Sequence, residues 1–209
     1  LFIAVFWALF EQIGSSWVLQ AQKMDRVIWG VEILPSQIQA ANPLLIIFLI
    51  PLFTYLIYPT LNKMIELTAL KKISIGLFLT ALAFAIPAII QMQIDKGMTP
   101  PIAWQLLAYL LLTAAEVMVS ITCLEFSYTQ APQSMKSFVM ALFFMSVAIG
   151  NLFTSAINFF IINSDGSHLL SGADYFWFFT GLMFVTAVLF VFVSHRYQEK
   201  TYLHEEQVG

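Results

Sequence analysis

Long apolar runs separated by short polar connectors dominate this chain of 209 residues. Six runs are about 20 residues long or longer, which is the length that a helix needs to cross a hydrocarbon core of roughly 30 Å. The predicted spans are residues 1–21, 36–61, 73–93, 102–124, 137–162 and 175–194. The pattern therefore predicts an all-α, polytopic membrane bundle of six transmembrane helices at 1–194, followed by a tail at 195–209.

The composition supports a membrane protein, because 60% of the residues are hydrophobic and only 10% are charged, against about a quarter charged in soluble domains. Basic residues predict the orientation, since cytoplasmic span ends carry an excess of Lys and Arg. One set of alternate ends contains Lys63, Lys71, Lys72, Lys136, Arg196 and Lys200, and the other contains Lys23, Arg26 and Lys96. We therefore expect the first span to run outward through the lipid bilayer and the tail to be cytoplasmic.

Two glutamates are the main candidates for function. Of the twelve acidic residues, only Glu11 and Glu116 fall well inside predicted spans. A charged side chain at the centre of a bilayer costs roughly 2.5–3.5 kcal/mol on insertion scales, so it usually faces a bundle interior or an aqueous path. A carboxylate held neutral or satisfied by nearby serines, serving only packing, is the alternative. We expect both glutamates to belong to a proton or substrate pathway.

Polar residues recur around both glutamates at the spacing of a helical face. The face that includes Glu116 also contains Tyr109, Thr113, Ser120 and Cys123. The residues one turn from Glu11 or flanking its face are Trp7, Gln12, Ser15 and Ser16. We expect Ser15 and Gln12 to support the neutral form of Glu11. Taken alone, Trp7 is more typical of a packed or interfacial aromatic residue.

A third polar stripe, in the fifth span, is uncharged. It consists of Ser146, Asn151, Ser155 and Asn158, beside Gly150. Small residues and amide side chains often hold membrane helices together. For this stripe as a whole, the residue pattern favours close helix packing.

The second span contains Pro43, Pro51 and Pro59 at a constant spacing of eight residues. Proline kinks a helix and frees a carbonyl one turn back, and membranes tolerate this where neighbours or a water-lined cavity satisfy the backbone. Asn42 can be an N-cap with Pro43 at the first helical position. A helix start near residues 35–36 instead sets Asn42 about two turns inside the span, and we favour this second interpretation.

Three stretches together resemble one family, the proton-coupled oligopeptide transporters of the major facilitator superfamily. They are "FWALFEQIGSSWVLQA" (6–21), "NPLLIIFLIPLFTYLIYP" (42–59) and "EVMVSITCLEFSYTQAPQSMKSFVMALFFMSVAIGN" (116–151). The resemblance implies that the chain is the C-terminal six-helix half of such a carrier. It further implies an N-terminal six-helix half, with the family's E-x-x-E-R motif, as the partner that completes the transport path.

The resemblance also implies roles for individual residues. Glu11 takes the position of a membrane carboxylate linked to proton coupling, and Glu116 takes that of the group that receives the amino terminus of the peptide. Trp7 and Asn42 match positions that line the peptide pocket. Two pocket positions depart from the pattern of many members, because Phe143 replaces a tryptophan, and Val147, with Ser146 adjacent, replaces a serine found in some. We include Phe143 and Ser146 among the expected substrate-binding residues.

The expected function is therefore proton-driven uptake of di- and tripeptides by a bacterial inner-membrane protein. Small peptides are the expected substrates and the proton is the coupling ion. No metal site, cofactor, catalytic residue or nucleic-acid partner is expected, since no ligand cluster, phosphate loop or nucleophile–base pair is visible. A carrier of the same family for another solute, such as nitrate or a drug, is one alternative. An intramembrane hydrolase that uses the two carboxylates as acid and base is a weaker one.

Overall fold

The computed structural model describes residues 2–129, 133–160 and 170–197, and they contain six helices that are long and apolar enough to cross a membrane. The helices are α1 (Phe2–Ala21), α2 (Gln37–Met64), α3 (Ala69–Asp95), α4 (Ala103–Thr129), α5 (Lys136–Phe160) and α6 (Ala173–Arg196). The prediction of six spans is confirmed. The predicted end of the fifth span, 161–162, and most of the predicted tail, 198–209, lie outside the described residues.

A small β-hairpin between α1 and α2 is the one element of the described chain that the all-α prediction did not include. Strands β1 (Val27–Ile28) and β2 (Val31–Glu32) pair antiparallel. Trp29 and Gly30 form the turn with φ of 49° and 82°, and two residues of positive φ are what a type I′ hairpin turn requires. Strands of two residues are too short to produce a recognisable alternation in sequence.

Helices α3 and α4 form the centre of the bundle. In the most apolar 18-residue segment of each of these two helices, 56% of the residues are buried, against 11% in α2 and 6% in α5. α3 packs against α4 and α6, α1 packs against α5, and α2 packs against α4. Much of the surface of α2 and α5 is therefore left uncovered by the described part of the chain.

Loop contacts join helix ends on one side of the bundle. The backbone N–H of Asp25, after α1, donates to the Pro100 carbonyl at 3.0 Å, and the N–H of Ile102, before α4, donates to the Asp25 carbonyl at 2.8 Å. At the end of α3, the Asp95 carboxylate accepts the N–H of Ala173, the first residue of α6, at 3.0 Å. These contacts agree with helices that cross alternately up and down.

Three helices change their hydrogen-bond pattern in mid-span. α1 passes through a 3-10 turn at Glu11–Gly14 before the α-helix resumes at Ser16. α2 contains a π-helical segment at Phe53–Ile57, two residues after Pro51. α4 contains another at Val117–Ile121, immediately after Glu116. The irregular segments of α1 and α4 thus coincide with the two membrane glutamates.

The start of α2 decides between the two interpretations of Asn42. Helical structure begins with a 3-10 turn at Gln37–Ala40, and the α-helix continues from Ala41. Asn42 therefore lies inside the span and does not cap it. This confirms the earlier helix start and brings the Asn42 side chain to the face that α2 shares with α4.

Candidate functional site

The carboxylate of Glu116 is held by a side chain from another helix. The amide nitrogen Nδ2 of Asn42, on α2, donates to Oε2 of Glu116 at 2.8 Å. The same nitrogen donates to the hydroxyl oxygen of Thr113, one turn earlier on α4, at 3.1 Å. Asn42 and Glu116 are half-buried, whereas Thr113 is completely buried. The contact fixes the carboxylate at the junction of α2 and α4.

The backbone after Glu116 widens into the π-helical segment Val117–Ile121. Single π-helical turns inside α-helices occur frequently at functional sites. They change the direction in which the neighbouring side chains leave the helix, because each backbone hydrogen bond of the segment spans one residue more than in an α-helix. Glu116 is the last residue of the preceding α-helical segment, so its position depends on this local geometry.

Glu11 lies in a different setting. It opens the 3-10 turn of α1, its side chain is exposed, and within the described part of the chain it has no hydrogen bond and no ion pair. Tyr109, two turns before Glu116 on α4, contacts the carbonyl of Ile13, two residues after Glu11 on α1. The two carboxylates that the sequence singled out therefore lie on neighbouring helices.

The polar residues beside Glu11 satisfy the backbone where α1 changes geometry. Gln12 donates from Nε2 to the carbonyl of Ala8 at 3.0 Å and accepts the Ser16 hydroxyl at 3.1 Å. The hydroxyl of Ser15 faces the Gln12 carbonyl at 3.5 Å. Neither Gln12 nor Ser15 hydrogen-bonds to Glu11 in the described residues, since both side chains face carbonyls of this irregular segment instead. Their support of the neutral form of Glu11 stays a prediction.

Side chains from two other helices also contact carbonyls in this part of α1. The hydroxyl of Tyr109, on α4, donates to the carbonyl of Ile13 at 3.3 Å. The hydroxyl of Thr154, on α5, donates to the carbonyl of Ala8 at 2.9 Å. Side chains of α1, α4 and α5 thus stabilise the irregular segment of α1. The Glu11 carboxylate makes none of these contacts.

The remaining candidate residues lie where α1 meets α5. The rings of Trp7 and Phe143 are in edge contact, with centroids 6.4 Å apart, and the indole nitrogen of Trp7 is buried without a hydrogen-bond partner among the described residues. The hydroxyl of Ser146 donates to the Phe143 carbonyl in its own helix at 2.6 Å. Trp7 and Phe143 thus form an aromatic contact between α1 and α5, whereas the Asn42–Glu116 contact joins α2 and α4.

The uncharged stripe of α5 is used partly for packing. A Cβ atom added at Gly150 would lie 2.5 Å from the Ala4 carbonyl and 3.0 Å from the Cβ of Trp7, so only glycine permits this approach of α5 to α1. Asn151 and Ser155, by contrast, are exposed. Close packing was therefore the correct interpretation for Gly150 but not for the whole stripe.

A buried glutamine cluster was missed in the sequence. Gln20 of α1 donates to the Pro87 carbonyl at 2.9 Å and to Oε1 of Gln91 at 3.0 Å, both in α3. Gln105 of α4 donates to the Trp17 carbonyl at 2.8 Å. The signal was present, because glutamines inside apolar spans need partners, but it did not indicate which helices would meet.

Comparison with known proteins places this arrangement in a family. Residues 1–178 match the model of the POT family. Over 96 residues the chain is 44% identical to peptide transporter 3 of Caenorhabditis elegans, which covers 46% of this chain and 14% of that protein.

Two solved structures are similar over nearly the whole chain. An auto-inhibited POT family peptide transporter shares 34% identity with a TM-score of 0.89, and the match covers 97% of this chain and 40% of that one. The POT family transporter PepTSo shares 36% identity with a TM-score of 0.86, covering 94% and 40%. The chain thus spans about two fifths of these structures. With six spanning helices and a family match over most of its length, the chain is a multi-pass membrane protein that belongs to the POT family.

Proposed function

We propose that this chain is the C-terminal six-helix half of a proton-driven symporter of di- and tripeptides. Its curated and structural relatives include proteins named as peptide transporters, which favours transport over the intramembrane hydrolase. The match to two fifths of each solved chain supports a second half that supplies the rest of the path. Carriers of this general kind bind substrate near the middle of the membrane, between halves that move around it.

The observation that carries the proposal is the pair of membrane carboxylates with unequal surroundings. Glu116 is fixed by Asn42 at 2.8 Å, whereas Glu11 has no hydrogen bond or ion pair within the described residues. A fixed carboxylate suits a group that binds a cation of the substrate, because charge-assisted hydrogen bonds are strong and geometrically demanding. A carboxylate without a partner among the described residues, on the neighbouring helix α1, suits a group that gains and loses a proton.

In the proposed mechanism, Glu116 pairs with the ammonium group of the peptide and Asn42 assists it. Trp7, Phe143 and Ser146 form part of the pocket for the rest of the peptide. Glu11 alternates between a protonated state and an ion pair with a basic residue of the N-terminal half, so the proton is the coupling ion. Binding and coupling are therefore assigned to different groups.

The orientation is part of the proposal. The excess of basic residues at one set of span ends favours a cytoplasmic C-terminus and an inner, or plasma, membrane of a bacterium. A reporter enzyme that is active only outside the cytoplasm, fused after residue 209, tests this. We expect it to be inactive there and active when inserted in the hairpin between α1 and α2; the opposite pattern would reverse the orientation.

Reconstitution of the full-length protein tests the function. We expect liposomes to accumulate labelled dialanine when an inward proton gradient is imposed, and to stop when the gradient is dissipated. Unlabelled di- and tripeptides should compete, whereas nitrate and free amino acids should not. Competition by nitrate or a drug but not by dipeptides would assign the protein to another solute. Peptide hydrolysis in sealed liposomes would favour the hydrolase.

A further inference from the structure

The hydroxyl of Thr113 uses its only hydrogen inside its own helix. It donates to the carbonyl of Tyr109 at 2.7 Å, and the side chain is completely buried. A hydroxyl has one donor hydrogen and two lone pairs, so only an acceptor remains for Asn42. The group of Asn42 that faces Thr113 at 3.1 Å must therefore be the NH₂.

The Glu116 carboxylate also requires a donor from the Asn42 amide. An ionised carboxylate only accepts hydrogen bonds, and Nδ2 of Asn42 is the atom 2.8 Å from its Oε2. The two hydrogens of the NH₂ group thus serve two acceptors. The amide oxygen of Asn42 is left without a donor among the described residues, and it lies on the same side chain that holds Glu116.

We propose that Thr113 is a positioning residue for amino-terminal recognition, which it serves by fixing the orientation of the Asn42 amide. The inference rests on the proposed peptide function and goes beyond it. An ammonium group has three donor hydrogens, and the Glu116 carboxylate together with the amide oxygen of Asn42, to which no described residue donates, supplies matching acceptors. Reversal of the Asn42 amide would replace that oxygen by the NH₂ group, which cannot accept from an ammonium; the Thr113 oxygen opposes the reversal because its own hydrogen is already donated to Tyr109.

The test uses the full-length protein and the ratio of inhibition constants for N-acetyl-dialanine and dialanine. In Thr113→Val, which replaces the hydroxyl by a methyl group of similar size, we expect the ratio to fall about three- to tenfold, the usual effect of one neutral hydrogen bond. The loss should come from weaker binding of the free dipeptide. Thr113→Ser keeps the hydroxyl and should restore the wild-type ratio.

Thr80→Val is the matched control. Thr80 is also completely buried and also donates to a carbonyl four residues earlier, that of Gly76, at 2.9 Å, but it lies in α3 and makes no hydrogen bond with Asn42. We expect it to leave the ratio unchanged. If Thr113→Val does not reach the membrane, Thr113→Ala compared with Thr113→Ser gives the same reading.

Two results would overturn the inference: an unchanged ratio in Thr113→Val, or a loss in Thr113→Ser as large as in Thr113→Val. The second result, or an unchanged ratio in which both peptides bind equally more weakly, would assign Thr113 to packing. Failure of the proposed function is distinguishable, because it would show as absence of dialanine binding by the wild-type protein itself.

Discussion

The surroundings of Glu116 and of Glu11 differ in what the polar neighbours do. Around Glu116, Asn42 donates to the carboxylate and Thr113 positions Asn42. Around Glu11, the polar side chains of Gln12, Ser16, Tyr109 and Thr154 are engaged with backbone carbonyls or with one another. The carboxylate of Glu11 is left out of this network.

The difference separates a structural explanation from a functional one. The packing alternative accounts for most polar residues near the break in α1, because each satisfies a carbonyl that would otherwise be costly in a membrane. It does not account for Glu11, which stabilises nothing in the described part of the chain. Under the proposed function, a carboxylate without a partner among the described residues is available to a basic residue of the proposed N-terminal half.

Replacing Glu11 should have the largest effect. It should remove proton coupling and leave the binding assigned to Glu116 intact. In the full-length protein, Glu11→Gln should abolish accumulation of dialanine against a gradient, because the side chain can no longer carry a proton. Counterflow, which needs no proton gradient, should survive at least in part. Glu66→Gln, in the exposed loop between α2 and α3, is the control. Undiminished accumulation in Glu11→Gln would remove Glu11 from proton coupling.

Replacing Glu116 should weaken binding in a selective way. Loss of a charge-assisted hydrogen bond typically changes an equilibrium by about 1.5–3 kcal/mol, so affinity for free dipeptides should fall about ten- to a hundredfold in Glu116→Gln. N-acetylated dipeptides should lose little, since they have no ammonium group. The measurement is competition by both peptides against a labelled substrate. A wild-type affinity ratio in the mutant would remove Glu116 from amino-terminal recognition.

The sequence predicted the parts of this comparison that depend on periodicity and on the energetic cost of charge. The six spans follow from apolar length, and both glutamates follow from the cost of a carboxylate in a bilayer. The position of Asn42 inside the span was also predicted, because an earlier helix start was available.

The features that the sequence did not predict depend on long-range contacts and on local backbone irregularity. Asn42 and Glu116 are 74 positions apart, and no periodicity indicates that α2 and α4 meet there. No proline near Glu116 indicates in the sequence that a π-helical segment follows it. For α1 a signal existed, since Gly14 followed by two serines is a composition at which helices bend, but it does not predict which carbonyls are freed.

The smallest predicted effect concerns the break in α1 itself. Tyr109→Phe removes the donor to the Ile13 carbonyl and should lower the free energy of unfolding by about 1 kcal/mol, the usual contribution of one hydrogen bond. Amino-terminal recognition should remain, because the Asn42–Glu116 contact does not involve this hydroxyl. Thermal unfolding and the inhibition ratio, measured on the same mutant, check both parts. A large loss of recognition would show that the two regions are coupled.

The most direct test of separate roles for the two carboxylates is the number of protons that enter with each peptide. A pH-sensitive dye inside the liposomes reports protons while labelled dialanine reports peptide, both under a peptide gradient alone. We predict that Glu11→Gln moves peptide without protons, whereas Glu116→Gln, at saturating peptide, keeps the wild-type ratio. A wild-type ratio in Glu11→Gln, or loss of proton movement only in Glu116→Gln, would contradict the account.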